Sequence, residues 1–563
     1  MSRGRALRGL VLGVVGLGLI APIALGLGQS LQAAFGILPA LDLRVWSLEP
    51  WRMLLAQPGF GSSLQLSLLT GLGSTLIALV LALGFCAAGS FGRGPGRLRW
   101  LAPFLAVPHA AMAVGLAFVL APSGWIARGL ALAFGWNRPP DIASVHDAWG
   151  LALMLGLVVK ELPFLLLVIA SGLAQLPVAR QIAAGRALGY GPGVAWIKLI
   201  LPQLWPLIRL PVWVVLAYGL SVVDMAIILG PSNPPSLAVA VVRLFSQPDL
   251  AMILPASAGA MLQAALVVVC IAALWGAEAA LRLLGRWWVP RGGRGMSWAP
   301  GLRLASGAVW ALMALASLAL VSLLLWSLAW RWSFPLIWPE SWSAAAWASP
   351  SATWGAALYN TVILAAASTA VSLALAVLWL EAEADLPRAP WAEALIYLPL
   401  LMPQIGFLYG LNVWFLRAGL SGGYLAVIWA QALLVFPYVM ITLSEPWRSV
   451  DPRLLRVAAA LGAGRWRRLL GLRLPILLRP ILTAAAIGVA VSVAQYLPTL
   501  FMGAGRIATL TTEAVTLASG ADRRVVGVYA SLQAALPFAA YAAAALLPMW
   551  WHRNRRDLRG GGV

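Results

Sequence analysis

The sequence predicts an all-α membrane protein of about twelve transmembrane helices, laid out as two parallel, pseudo-symmetric halves of six. Three observations carry that prediction: composition, the spacing of charges, and a repeat. Of 563 residues, 61% are hydrophobic and 10% charged, a balance unsuited to a water-exposed surface. Crossing ~30 Å of hydrocarbon takes roughly 20 residues without charge. Uncharged runs of that order recur over 9–41, 53–92, 100–127, 162–179, 250–277, 304–330, 341–380, 394–416, 418–444, 480–505 and 525–552. Two more segments, around Lys160 and Asp224, become spans if a polar residue is accepted inside them, and joining the first to the run after Glu161 gives twelve. The apolar stretch from Leu10 is about twice the ~10-residue core of a signal peptide, so it is expected to remain as the first helix.

The net charge of +21 raises nucleic acid as a partner, but placement argues against it. If the N-terminus with Arg3, Arg5 and Arg8 is cytoplasmic, most basic residues fall in inner loops: 93–99, 180–198, 282–303, Arg388, 448–479 and the tail 553–559. That is the positive-inside pattern, so both termini are expected in the cytoplasm and the lipid bilayer, not nucleic acid, is the partner the charge records. Cys86 and Cys270 lie inside spans, and His109, His146 and His552 are scattered without a clustered carboxylate, so neither a disulfide, a metal site nor acid–base catalysis is expected.

The repeat follows from spacing. Leu201-Pro202 follows Leu188-Gly189 at the distance at which Leu474-Pro475 follows Leu461-Gly462, each in an inner loop after the fourth span of its half. Pro108 with Gly115 is echoed by Pro403 with Gly410, and Ser74-Thr75 by Ser368-Thr369. Halves of six spans enter and leave on one side, so the duplication is parallel. The expected units are an N-terminal half over 1–290, a cytoplasmic linker over 291–303, and a C-terminal half over 304–563, with the whole Arg/Gly/Pro-rich stretch 286–303 reading as a loop. Within the loops, residues 183–202 and 456–475 each read as helix, glycine break, helix, with Pro202 and Pro475 at the start of the next span.

This pattern of small residues, glycine and Leu-Pro resembles the EAA loop of binding-protein-dependent ABC permeases, which docks on ATPase subunits. Two such loops in one chain resemble the fused double permeases of ferric-iron and thiamine importers. The segments 160–164, 224–239, 401–404 and 495–515 are most similar to the Ynj-type permeases. The resemblance implies a type I importer fold in a bacterial inner membrane. It also implies two copies of an ABC ATPase carrying the ATP and magnesium, and a periplasmic or lipid-anchored binding protein that delivers a thiamine-like or ferric-iron-like solute. Docking would rest on Ala183, Ala184, Gly185, Gly189, Leu201 and Pro202, and on Arg456, Ala458, Gly462, Leu474 and Pro475; the leading glutamate of the motif is replaced by Ala183 and by Arg456. The sequence agrees that no ATPase is on board, since of its two lysines Lys160 precedes Glu161 and Lys198 precedes Leu199, so neither sits in a P-loop.

An ionisable side chain within a span costs roughly 2.5–3.5 kcal/mol unless it faces protein or water. Lys160, Glu161 and Asp224 are therefore candidates for the solute path, with a structural ion pair as the bland alternative. Neighbours on a helix diverge by ~100°, so Lys160 and Glu161 are not expected to share a partner. Aligning Ser221 with Ser492 sets Asp224 opposite Gln495, with Tyr496 and Thr499 nearby. The Trp-rich segment 330–342 reads as an interfacial anchor. A secondary carrier with coupling carboxylates is the main rival, and it has no use for paired loops.

Overall fold

The computed structural model describes residues 9, 13–89, 101–292, 299–348, 353–383, 390–520 and 522–551. Among these, ten helices are long and apolar enough to cross a membrane, and two bent pairs bring the spans to twelve. The first six are Gly13–Ala34, Phe60–Gly89, His109–Phe134, Leu151–Ala174, Pro192–Ser221 and Leu250–Trp288. The second six are Pro300–Leu328, Trp354–Glu383, Ala394–Leu400 with Gln404–Arg417, Tyr424–Arg448, Arg465–Ile476 with Leu478–Ala494, and Arg523–Trp550. Helices prevail because hydrocarbon offers no partner to a backbone N–H or C=O.

The ninth span bends by 101° just before Pro403. The third is broken at the matching place: helix Ala102–Ala106 ends at Val107, whose extended backbone precedes Pro108. A proline ring pushes the residue before it out of helical conformation, so the repeated proline marks a repeated break.

The glycines paired with these prolines explain how the halves interlock. The first span lies along the ninth and the seventh along the third, so each half's leading helix crosses to the other half. A Cβ at Gly410 would strike the carbonyl of Gly26 in the first span, and one at Gly115 the carbonyl of Ala319 in the seventh. Small residues permit this backbone-to-backbone approach.

The repeat register becomes visible after the fifth and eleventh spans. Helix Leu201–Ser221 ends in extended Val222 and the chain resumes in Asp224–Leu229 and Leu237–Phe245. Its counterpart ends in extended Gln495 and resumes in Leu497–Gly503 and Leu510–Ala518. The Leu237 N–H donates to Ser67 Oγ at 2.8 Å, and the Leu510 N–H to Thr361 Oγ1 at 2.9 Å. Val222 with Gln495, Asp224 with Leu497 and Leu237 with Leu510 keep the separation that relates Gly189 to Gly462, while Ser67 with Thr361 keeps that of Ser74 with Ser368. The expected pairing of Asp224 with Gln495 is therefore displaced by two positions: Asp224 corresponds to Leu497, and Gln495 to Val222. Ser492 hydrogen-bonds Ser368 at 3.2 Å, while its true counterpart, Gly219, faces Ser74.

The junction is also shorter than its composition suggested. The sixth helix continues to Trp288 and the seventh starts at Ala299, so 286–288 and 299–303 are helical and 289–292 are not, while 293–298 lie outside the described residues. Pro300 in the first turn, where no N–H is required, lets the helix begin early. The basic clusters at 3–8, 93–99, Arg388 and 553–559 also lie outside the described residues, as does His552.

Candidate functional site

A cavity of about 470 Å³ lies between the halves. Its lining includes His109 from the third span, Lys160 and Glu161 from the fourth, and Tyr218 and Asp224 from the end of the fifth. The second half contributes Gln404, Tyr438, Gln495 and Tyr496. Five of the six path candidates thus converge. Thr499 does not: it is buried behind the wall, where it accepts from Gln431 Nε2 at 3.1 Å. Gln431 in turn takes a hydrogen bond from Ser492, so the eleventh span is held to the tenth by a buried polar cluster.

Lys160 and Glu161 part as the helix geometry requires. The ammonium donates to the carbonyls of Phe104 and Leu105 at 3.0 and 3.2 Å, capping the C-terminal end of helix Ala102–Ala106. Glu161 Oε1 instead lies 3.4 Å from His109 Nε2. The His109 ring packs on Tyr218 at 4.5 Å between centroids, and the Tyr218 hydroxyl points to Asp224 Oδ1 at 3.5 Å. His109 is therefore not isolated from carboxylates, as its sequence surroundings suggested. Its partner lies on another span, and only the break at Pro108 turns the ring toward it.

The two repeated loops share one backbone design. Helix Val178–Ala187 ends at Leu188, and Gly189 follows at φ +82°; helix Pro452–Ala460 ends at Leu461, and Gly462 follows at φ +81°. The Gly189 and Tyr190 N–H groups donate to the carbonyls of Arg186 and Gly185, and those of Gly462 and Ala463 to Ala459 and Ala458. Both are Schellman caps, whose left-handed residue is glycine because a Cβ is strained there. Each chain then enters a π-helical turn, Trp196–Ile200 or Leu469–Arg473. Leu201 N–H donates to Trp196 O, and Leu474 N–H to Leu469 O. The wide turn makes room for Pro202 and Pro475, whose rings would otherwise press on the carbonyl four residues back. The Gly/Leu-Pro pattern is thus the signature of a cap followed by a π turn.

Comparison with known proteins decides the family. Over 522 residues the chain is 32% identical to the inner membrane ABC transporter permease protein YnjC of Escherichia coli, covering 91% of this chain and 93% of that one. The chain belongs to the binding-protein-dependent ABC transporter permeases. The family described as binding-protein-dependent transport system inner membrane component matches residues 387–553. Shorter similarities, 28% identity over 137 and 131 residues, connect it to the molybdenum transport system permease protein ModB of Haemophilus influenzae and of Escherichia coli; they cover 22% and 21% of this chain and 60% and 57% of those proteins. It is thus a multi-pass inner-membrane transport component of the importer type.

Within this permease the two loops are fastened differently. In the first, Ile182 and Gly185 are buried, and a Cβ on Gly185 would meet Leu199 at 3.0 Å and Ala195 at 3.1 Å. Lys198 lies over the rings of Tyr190 and Trp288. The corresponding helix Pro452–Ala460 carries Ala458 in place of that glycine and buries none of its residues. It is tied down by charge instead. Glu381, at the end of the eighth span, accepts from Arg465 Nε at 3.2 Å and Arg473 Nη1 at 2.9 Å, and Glu383 pairs with Arg448 at 2.9 Å. Arg473 also donates to Trp447 O and stacks over the Trp447 ring. By the Ser74–Ser368 register, Ala87 and Gly89 stand where these glutamates are. Sequence reading missed Glu381 and Glu383 because it sought carboxylates within the loop; the hint was two glutamates ending an otherwise uncharged span.

Proposed function

We propose that this chain forms the whole transmembrane part of an ATP-driven importer. One ATPase subunit seats on each repeated loop, at the cytoplasmic face with both termini, and supplies the ATP and magnesium. An extracytoplasmic binding protein releases a small solute into the central cavity from the other side. The observation that carries this reading is the pair of loops with the same glycine cap and π turn, each presenting a leucine to solvent at its cap: Leu188 is 65% and Leu461 83% exposed. A single-chain carrier gains nothing from two exposed apolar caps in register, whereas a partner with an apolar cleft buries them.

Around each cap, Ala183 and Ala184, and on the other loop Arg456 and half-buried Ala458, make the adjoining surface. Gly189, Leu201 and Pro202, with Gly462, Leu474 and Pro475, set the angle at which each loop helix meets the span behind it. A push on the helix therefore moves the fifth or eleventh span, and with it the residues at the cavity: Asp224 in one half, Gln495 and Tyr496 in the other. Alternating exposure of the cavity follows from opposed movement of the halves.

Native mass spectrometry of the permease purified with its ATPase tests the reading. Two ATPase copies are expected per wild-type chain, one for Leu188→Asp or Leu461→Asp, and none for the double variant. Unchanged stoichiometry in all three variants contradicts it.

A further inference from the structure

The central cavity sets two carboxylates among neutral polar side chains and aromatic rings. Asp224 and Glu161 contribute carboxylates from two spans. Gln495, only 7% exposed, donates its Nε2 to the Gln431 carbonyl at 3.2 Å and leaves its buried Oε1 without a donor. A buried acceptor lacking a donor costs about 1–3 kcal/mol, so its retention calls for a partner. The one lysine in the lining is already engaged: both contacts of its ammonium are to the carbonyls of Phe104 and Leu105. The rings of Tyr218 and Tyr438 complete the wall beside these acceptors.

We propose that this cavity is a binding site for a small organic cation, its positive nitrogen held by Asp224 and Glu161 against the tyrosine rings and its N–H or O–H groups accepted by Gln495. The inference rests on the cavity being the solute route. Carboxylates favour a positive charge in a low-dielectric site, and ring faces add cation–π attraction. A volume of about 470 Å³ is that of a small-molecule site. Two other cargoes fit less well. A bare metal ion needs converging ligands, and among the described residues no group of three His, Cys, Asp or Glu could hold one. An oxyanion would find donors such as Gln404 and Tyr438, but His109 already faces Glu161 and the Tyr218 hydroxyl faces Asp224, and the two carboxylates would repel it.

The test uses the full-length permease in lipid nanodiscs, titrated with 1-methyl-4-phenylpyridinium, with its neutral isostere 4-methylbiphenyl, and with molybdate; empty nanodiscs correct for partition into lipid. Saturable binding of the cation, no saturable binding of the other two, and a loss of about tenfold in affinity in both Asp224→Asn and Glu161→Gln are expected, since each substitution removes one of two negative charges that attract a cation carrying no N–H. Both substitutions are isosteric, and elution as a single species shows that each variant has folded. The proposal is overturned if the cation does not bind saturably, if the isostere binds as well, if molybdate binds instead, or if neither substitution weakens the cation. In that event the ATPase stoichiometry of the loop variants still decides the importer reading separately.

Discussion

Glu381→Gln removes the charge that ties the second loop to the eighth span. The side chain is 11% exposed and bridges Arg465 and Arg473, the latter 8% exposed. Glutamine keeps the volume and one acceptor but turns an NH₂ group toward the second guanidinium. One charge-assisted hydrogen bond, worth about 1.5–3 kcal/mol, is lost, together with the negative charge that Glu381 sets against buried Arg473. A local cost of about 3 kcal/mol follows, equivalent to roughly a hundredfold rise in the open population of the loop. Trypsin reads that population at the exposed Arg456 and Arg467, provided reclosing is faster than cleavage. At the positions of Glu381 and Glu383 the first half has Ala87 and Gly89, so the first loop supplies an internal control at the exposed Arg180 and Arg186. Cleavage should therefore accelerate by up to ~100-fold in the second loop alone. Equal acceleration in both loops, or none in either, would refute the claim that Glu381 fastens the second loop.

Gly410→Ala places a methyl group on the Gly26 carbonyl, where two backbones touch. Overpacking there should cost about 1–3 kcal/mol, measured as a lowered melting temperature in detergent; an unchanged melting curve would show that the crossing of first and ninth spans is looser than described. Arg128, 2% exposed, donates to the carbonyls of Ser123 at 2.9 Å, Ser333 at 2.8 Å and Trp332 at 3.2 Å, and so clamps the turn after the seventh span to the third. Arg128→Met leaves those carbonyls without their donor, and hydrogen exchange across 329–342 should accelerate while the loops around Gly189 and Gly462 keep their rates. Unaltered exchange in that turn would contradict the clamp.

The number of spans and their pairing into halves were legible because charge is excluded from hydrocarbon, a constraint strong enough to read from spacing alone. Gly115 and Gly410 were visible as a repeat, but their meaning was not: a glycine shows that something approaches closely, and only the fold shows that the visitor is the opposite half's first helix. Lys160 and Glu161 stood out by cost, and the helix angle between them foretold separate partners. Their partners, two carbonyls and His109, depend on a break at Pro108 that a hydropathy reading passes over. The register of Asp224 with Gln495 failed because a shared serine was taken as the anchor, whereas the extended residues Val222 and Gln495 are the true equivalents. The Trp-rich segment was read as an anchor in the interface. Trp330, Trp338 and Trp342 are exposed, as such a role requires, while Trp332 instead packs with Trp125 and Arg128.

Uptake by proteoliposomes measures the central claim most directly. The permease is reconstituted with its ATPase, and the binding protein, purified with its native solute, is supplied outside. Accumulation is expected only with ATP inside and is expected to fail in the Leu188→Asp, Leu461→Asp double variant. Accumulation at the full rate by this chain alone, without nucleotide, would contradict the account.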